Sequence, residues 1–451
     1  MIRKKNISRL RSTVAIVAVM AAVVAACGSD NGTDSAPPDT VAPTTDAPVE
    51  TESTEAPAAV DDTTPPATES PLTTEASAEP ERPAGTLPPG EYTIGYLASN
   101  SGTLAFAGIP SRLAAEALLE EVNSTGALGE GVTLRFKVVD DETDQARAIT
   151  AAEDLINDDE VVAVLCCSSS SVTGAIREMF IEAQLSMSII SAIMPDAPDG
   201  KYIFRGKPPT QTVYETLAPA AQAAFQFENV VITRTSDNDG MVATAEIMGS
   251  LLESEGVEVT YVDLLSTDRD QSALATQIID LDPDGVFLME LASTLPLTLR
   301  ELYDRGYEGP MFGTASMSNR ELFDIAGDAI VGRPFSDTYF LRGTSPVMQE
   351  FLDVAGPSFD NNEPNSYGAE GYAAFQLLIE GMRKAAEIYG EITRESVAAG
   401  LAAVTRVTTP TGEITMGPDG QGEVDETYLL QWTADGEVVA WDGTVEGIET
   451  P

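Results

Sequence analysis

From residue 92 onward the chain alternates short apolar runs with longer amphipathic ones, and this alternation limits the folds open to it. The runs "YTIGYLA" (92–98), "VTLRFKVVD" (132–140), "VVAVL" (161–165), "SMSII" (186–190), "NVVIT" (229–233), "VEVTYVDL" (257–264) and "DGVFLME" (284–290) have the length and β-branched content of buried strands. Between them, segments 145–157, 172–183, 213–227, 241–255, 270–281 and 295–306 read as amphipathic helices. In segment 111–126 the residues Leu113, Ala117, Leu118 and Val122 share a helix face and Gly126 supplies the stop. Strands that alternate with helices pair in parallel and are covered by helices on both faces. The units are too many for one compact sheet, so the expected architecture is α/β, with two doubly wound lobes.

The first ninety residues follow other rules. Basic residues Arg3, Lys4, Lys5, Arg9 and Arg11 precede the apolar run "TVAIVAVMAAVVAAC" (13–27), whose length suits the h-region of a signal peptide. Its end, "VAAC", resembles the bacterial lipobox, in which small residues precede a cysteine that becomes the acylated N-terminus. Residues 1–27 are therefore expected to be a lipoprotein signal peptide, with Cys27 the lipidation site and the cell membrane, extracytoplasmic face, the location. Residues 28–90 are rich in Thr, Pro, Ala and acid and have no aromatic residue. Such a segment cannot bury enough apolar surface to fold and is expected to serve as a tether, with a typical span of roughly 45 Å.

Composition then removes whole classes of chemistry. The 451 residues contain no histidine, which takes away the commonest general base, the Ser-His and Cys-His pairs and the commonest zinc ligand. No catalytic residue, metal site or cofactor is expected. The formal charge is −47, and a surface this acidic repels phosphate backbones, so nucleic acid is not an expected partner.

The stretch "VLCCSSSSVTGA" (164–175) lies where a strand gives way to a helix. In open α/β sheets ligands bind beyond the carboxyl ends of strands, where helix N-termini present free backbone N–H groups. Serines there both cap the helix and offer hydroxyls to a ligand.

Taken together, residues 92 to about 441 resemble the type I periplasmic binding proteins of the branched-chain amino-acid kind, the substrate-binding lipoproteins of ABC importers. The resemblance is carried, in order, by 92–156, "VVAVLCCSSSSVTGA", "YIFRGKPP", "VFLMELASTLPLTLRELYDRGYEGPMFGTASMSNRELFDIAGDAIVG" and "GEITMGPDGQGEVDETYLLQW". It implies a three-crossing hinge near 204–209, 331–337 and 422–428, with lobe 1 formed by 91–208 and 337–428 and lobe 2 by 209–336 and 429–451. It also implies a small-molecule ligand (amino acid, amide or small carboxylate) trapped in the interlobe cleft, and ABC permease and ATPase subunits as partners. A sensing domain acting through a separate membrane partner is the other reading of the same fold.

Carried over position by position, the resemblance implies ligand contacts from Ser99, Ser101 and Phe106 in the first loop and from Cys167, Ser168, Ser169 and Ser170 in the second. Ser191, Ala192 and Ile193 form the third, and Asn238, Asp239, Leu291 and Ala315 face them from lobe 2. Two departures stand out. Asn238 and Asp239 fall where relatives place an aromatic lid, and Ala315 falls where amino-acid binders place the carboxylate that meets the ligand ammonium. An unmatched ammonium in a closed cleft costs several kcal/mol, which argues against an ordinary branched-chain amino acid; Glu290, Asp237 and Asp239 are the nearby carboxylates that could substitute for the missing one. Cys166 and Cys167 are expected as free buried thiols, a vicinal disulfide being the alternative.

Overall fold

The computed structural model describes residues 85–341, 345–359 and 363–444. The signal segment, Cys27 and the tether up to residue 84 lie outside the described residues.

Five parallel strands form the first sheet: β1 (Gly90–Ala98), β2 (Val132–Asp140), β3 (Val161–Cys166), β4 (Met187–Ile189) and β5 (Ile203–Arg205), in the order β2-β1-β3-β4-β5. β1 pairs with β2 along its whole length, Gly90 opposite Val132 through Ala98 opposite Asp140. Helices α1 (Ala105–Thr125), α2 (Gln145–Ile156) and α3 (Ser170–Glu182) make the crossovers. α1 ends where Gly126 takes up a left-handed φ of 64°, as its position in the sequence predicts. Strands covered on both faces need continuous apolar runs rather than alternation; accordingly Ile94, Tyr96, Leu97 and Ala98 of β1 are all fully buried.

The second sheet repeats the plan. Helix α4 (Thr210–Phe225) leads into β6 (Asn229–Thr235), α5 (Asp239–Ser254), β7 (Glu258–Leu264), α6 (Ser272–Asp280), β8 (Gly285–Met289), α7 (Leu295–Asp304), β9 (Met311–Gly313), α8 (Arg320–Ala326) and β10 (Phe335–Asp337). Its core is aromatic: the Phe287 and Phe312 rings stack with centroids 4.6 Å apart. Burial of each such ring contributes about 1.5–3 kcal/mol.

After Asp337 the chain returns to the first sheet. Helices α9 (Pro346–Ala355), α10 (Ser366–Tyr389) and α11 (Arg394–Ala402) pack there, Phe375 of α10 lying 4.9 Å from the Phe136 ring of β2. A small antiparallel sheet, β11 (Arg406–Thr409), β12 (Gly412–Met416) and β13 (Gly422–Val424), follows. The chain then crosses once more, adding β14 (Tyr428–Trp432) and β15 (Val438–Ala440) to the edge of the second sheet, whose order is β15-β14-β10-β9-β8-β6-β7. The two-lobed α/β architecture is as the strand–helix alternation predicts.

In each sheet the strand order reverses at one point, between β1 and β3 in the first and between β6 and β8 in the second. At such a switch point neighbouring connections leave on opposite faces and open a crevice at the carboxyl ends. The two crevices face one another, so the loops after β1, β3, β6 and β8 meet between the lobes.

Candidate functional site

The loop after β3 is built by its serines. Ser169 has extended backbone and caps α3, its Oγ accepting the Val172 N–H at 3.3 Å. The helix therefore starts at Ser170, two residues before the apolar periodicity predicts, because the cap completes its first turn. Ser170 Oγ accepts the Ile193 N–H at 3.0 Å. The loop after β4 is laced alongside: the carbonyl of Cys167 accepts the N–H groups of Ser191 (3.1 Å) and Ala192 (3.0 Å). Arg205, 2% exposed at the end of β5, holds that loop from below. It donates to the carbonyls of Ala192 (3.3 Å), Met194 (2.7 Å) and Pro195 (3.3 Å) and to Gln421 Oε1 (2.9 Å), and burial pushes its pKa down to about 10.

Across the gap, Asn238 caps α5 by accepting the Met241 N–H at 3.1 Å. The lobes touch here. The Asp239 N–H reaches Ser171 Oγ at 3.4 Å, and a Cβ on Gly240 would lie 2.4 Å from Ser170 Oγ and 2.8 Å from Ile193 Cγ1. Only glycine permits that approach. On the opposite side Tyr367 and Ser366 of α10 hydrogen-bond Ser316 and Ser318, both at 2.8 Å.

Between these contacts lies a cavity of about 100 Å³. Leu104 and Ile193 from the first lobe and Met241 and Leu291 from the second form an apolar cluster in its wall. Ser168, Ser170, Ser191, Ile193, Asn238, Leu291 and Ala315, seven of the expected positions, line it. The hydroxyls of Ser168 and Ser191 are each on residues 7% exposed, and neither has a hydrogen-bond partner. Thr210 Oγ1 at the start of α4 and Glu370 Oε2 on α10 are buried and unpartnered in the same way. Buried polar groups are normally paired, so four orphans around one cavity mark a place for a polar guest.

The other expected positions lie outside the cavity wall. Ser99 is fully buried and donates to Asp141 Oδ1 at 2.6 Å. Ser101 takes part in the turn below, its N–H on Asp140 Oδ1 at 3.2 Å. Phe106 packs edge-on to Tyr367 with centroids 5.5 Å apart. Ser169 is used up as the cap, Cys167 and Ala192 contribute backbone bonds, and Asp239 is exposed.

Three expectations need correction. Cys166 and Cys167 are joined by a disulfide, and both are fully buried among Val172, Ile176 and Ile189. β3 ends at Cys166, so the strand alternation that would send adjacent side chains to opposite faces does not extend to Cys167. Glu290 turns away from the cavity into the second lobe, where Thr233 Oγ1 (2.7 Å) and Thr298 Oγ1 (2.9 Å) bind its carboxylate; burial raises its pKa to about 7. Asp237 is spent on the Ser266 N–H (2.8 Å) and hydroxyl (2.7 Å).

Sequence reasoning missed the end of the cavity beside the β5–α4 crossing, formed by Lys207, Thr210, Tyr214, Ser316, Tyr367 and Glu370. Lys207 Nζ pairs with Glu370 Oε1. Behind them Asp337 is 4% exposed and accepts the Tyr339 N–H at 3.1 Å; burial, with Glu370 adding to it, pushes its pKa up to about 7. The cue that was available is Asn365, whose side chain caps α10 by accepting the Gly368 N–H and so brings the first turn of that helix to the cavity. Among the described residues no cluster of three or more His, Cys, Asp or Glu side chains is placed to hold a metal ion.

Comparison with known proteins agrees with this geometry. Residues 91–437 match the family model described as periplasmic binding protein. The Leu/Ile/Val-binding protein BraC3 of Rhizobium johnstonii is 25% identical over 354 residues, covering 78% of this chain and 94% of that one. Among solved structures, the leucine-binding protein LivK of Thermotoga maritima superposes with a TM-score of 0.70 at 20% identity, over 77% of this chain and 97% of that one. A solute-binding protein of an R. palustris ABC transporter, solved with 4-hydroxybenzoate, gives 0.67 at 20% identity, over 78% and 95%. At these identities the structural likeness shows the fold and leaves the ligand open.

Proposed function

Since this chain belongs to the periplasmic binding proteins, of the type I branched-chain amino-acid kind, we propose that it captures a small polar solute between its lobes and passes it to an ABC importer. The carrying observation is the interlobe cavity ringed by four unpartnered buried polar groups. Closure around a solute would satisfy those groups in a water-poor site, where each hydrogen bond counts for more. On this reading Ser168, Ser170, Ser191, Ile193, Asn238, Leu291 and Ala315 contact the solute. The lobes, 91–208 with 337–428 and 209–336 with 429–451, close about the three crossings, and the protein carries out no chemistry.

We assign residues 1–27 as a lipoprotein signal, Cys27 as the acylated N-terminus and the chain up to residue 84 as the tether that holds the lobes off the outer membrane face; the expected end at residue 90 is too late, because Leu87 is already buried in the first-lobe core and Gly90 opens β1. Relatives' names cover leucine, isoleucine and valine, and one neighbour holds 4-hydroxybenzoate, so amino acids, amides and small carboxylates are the solutes to test. A solute at a hundred times its Kd stabilises the folded state by about 2.7 kcal/mol, a rise of a few degrees in melting temperature. A rise with at least one of these solutes is expected, and none with any of them would overturn the proposal. Intact mass of the native protein beginning at an acylated Cys27 tests the anchor.

A further inference from the structure

The position where amino-acid binders are expected to present a carboxylate to the ligand is Ala315, and Ala315 does line the cavity, so the second lobe offers no anion there. The anion in the wall belongs instead to the first lobe. Glu370 lies one turn into α10, with its side chain 14% exposed, and only one of its two oxygens is used: Oε1 pairs with Lys207 while Oε2 is buried and unpartnered. A carboxylate oxygen is an acceptor and nothing else, so the vacancy calls for a donor. The surrounding charges point to a cationic one. Lys207 is the single lysine or arginine in the cavity wall, and it faces two carboxylates, Glu370 in the wall and Asp337 behind it. The remaining neighbours at this end, Tyr214, Ser316, Ser318, Tyr339 and Tyr367, carry hydroxyls and no charge. Glu370 therefore shares its one cation with a second buried carboxyl group, Asp337, and its own charge is only partly matched by Lys207.

We propose that Glu370 is the residue that selects the solute, taking the ligand's amino group as an ammonium on its free Oε2 at this end of the cavity. This rests on the solute-binding reading above and narrows it to amine-bearing solutes held from the first lobe rather than from across the cleft. The apolar wall of Leu104, Met241 and Leu291 then accepts the body of the molecule, and about 100 Å³ keeps that body short. Lys207 holds Glu370 in position while no solute is bound.

The test uses the full chain and matched pairs differing in the amino group: 4-aminobutyrate with butyrate, valine with isovalerate, butylamine with butyramide, read by melting temperature and calorimetry. At least one amine is expected to bind at least tenfold tighter than its partner. Glu370→Gln, which keeps the shape and removes the charge, should weaken that amine by about 10–100-fold while changing its uncharged or anionic partner little. Lys207→Met separates selection from mere support, because it frees Glu370 and should retain or strengthen amine binding; a purely structural ion pair would make both variants fail alike. Binding of butyrate, isovalerate or butyramide with no preference for the amines would overturn the role of Glu370 and leave solute binding standing. Silence from all six compounds would remove both.

Discussion

Replacing Glu290 by glutamine tests the physical reasoning without any knowledge of the ligand. The carboxyl group is fully buried, its two oxygens bound by Thr233 and Thr298, and burial raises its pKa from an ordinary 4.5 to about 7. Below pH 4.5 the group is protonated in both folded and unfolded chains and contributes no pH dependence. Between 4.5 and 7 the folded protein keeps the proton that the unfolded chain has lost, so stability falls as pH rises; above 7 the whole penalty is in place. Each pKa unit is worth 1.36 kcal/mol, which makes the penalty about 3 kcal/mol. Glu290→Gln retains the volume, an oxygen for the Thr233 hydroxyl and an amide that donates to Thr298. The stability gain of the variant over wild type, from urea unfolding at pH 5, 6, 7 and 8, should therefore grow by about 2–3 kcal/mol from pH 5 to pH 8, a small part of the penalty being present already at pH 5. Every other carboxylate of this acidic chain cancels in the difference. A difference that stays constant from pH 5 to 8 would show that the threonine hydroxyls stabilise the anion as well as water does, and would refute the argument.

Other perturbations bear on different parts of the molecule. Gly240→Ala places a methyl group against Ser170 and Ile193 only when the lobes are together; an overpacking cost of about 1–3 kcal/mol should weaken any bound solute about 5–150-fold by calorimetry, and unchanged affinity would mean the lobes meet differently in solution. Arg205→Met strips partners from Gln421 and the carbonyls of Ala192, Met194 and Pro195, so urea unfolding should show a loss of about 3 kcal/mol or more; a loss below about 1 kcal/mol would contradict the role given to its buried guanidinium. In a Cys27→Ser background, thiol titration of the unfolded, unreduced protein should find no reactive thiol, whereas two would refute the Cys166–Cys167 bond.

The fold was legible because it depends on period. Buried parallel strands such as "VVAVL" and amphipathic crossovers such as 111–126 declare themselves locally, and their alternation dictates the rest. Strands of three residues did not: "MFG" in β9 and "FSD" in β10 are too short to show a period and exist only because the sheet beside them supplies partners. The candidate site divides along the same line. Ser168 and Ser170 were readable because a strand end followed by a helix start is written in consecutive residues; Ser191, on the loop between β4 and β5, came from the family resemblance alone. Lys207 and Glu370 are 163 positions apart, and their meeting depends on α10 folding back across α1, which no local pattern records. Ser99 lies off the cavity wall for a related reason. It sits on the proper loop, but Asp141 from the neighbouring strand end captures its hydroxyl first.

The lacing of the 191–195 loop has a kinetic consequence. The carbonyl of Cys167 and the guanidinium of Arg205 hold that segment with bonds internal to the first lobe, so this half of the binding surface stands finished before a solute arrives. No loop has to be ordered on arrival, and the entropy that flexible binding loops give up is absent from the association step. Encounter then proceeds at a rate set by diffusion and access to the cleft. Discrimination between solutes passes to the lifetime of the closed complex, so rival compounds will differ in how long they stay far more than in how fast they come.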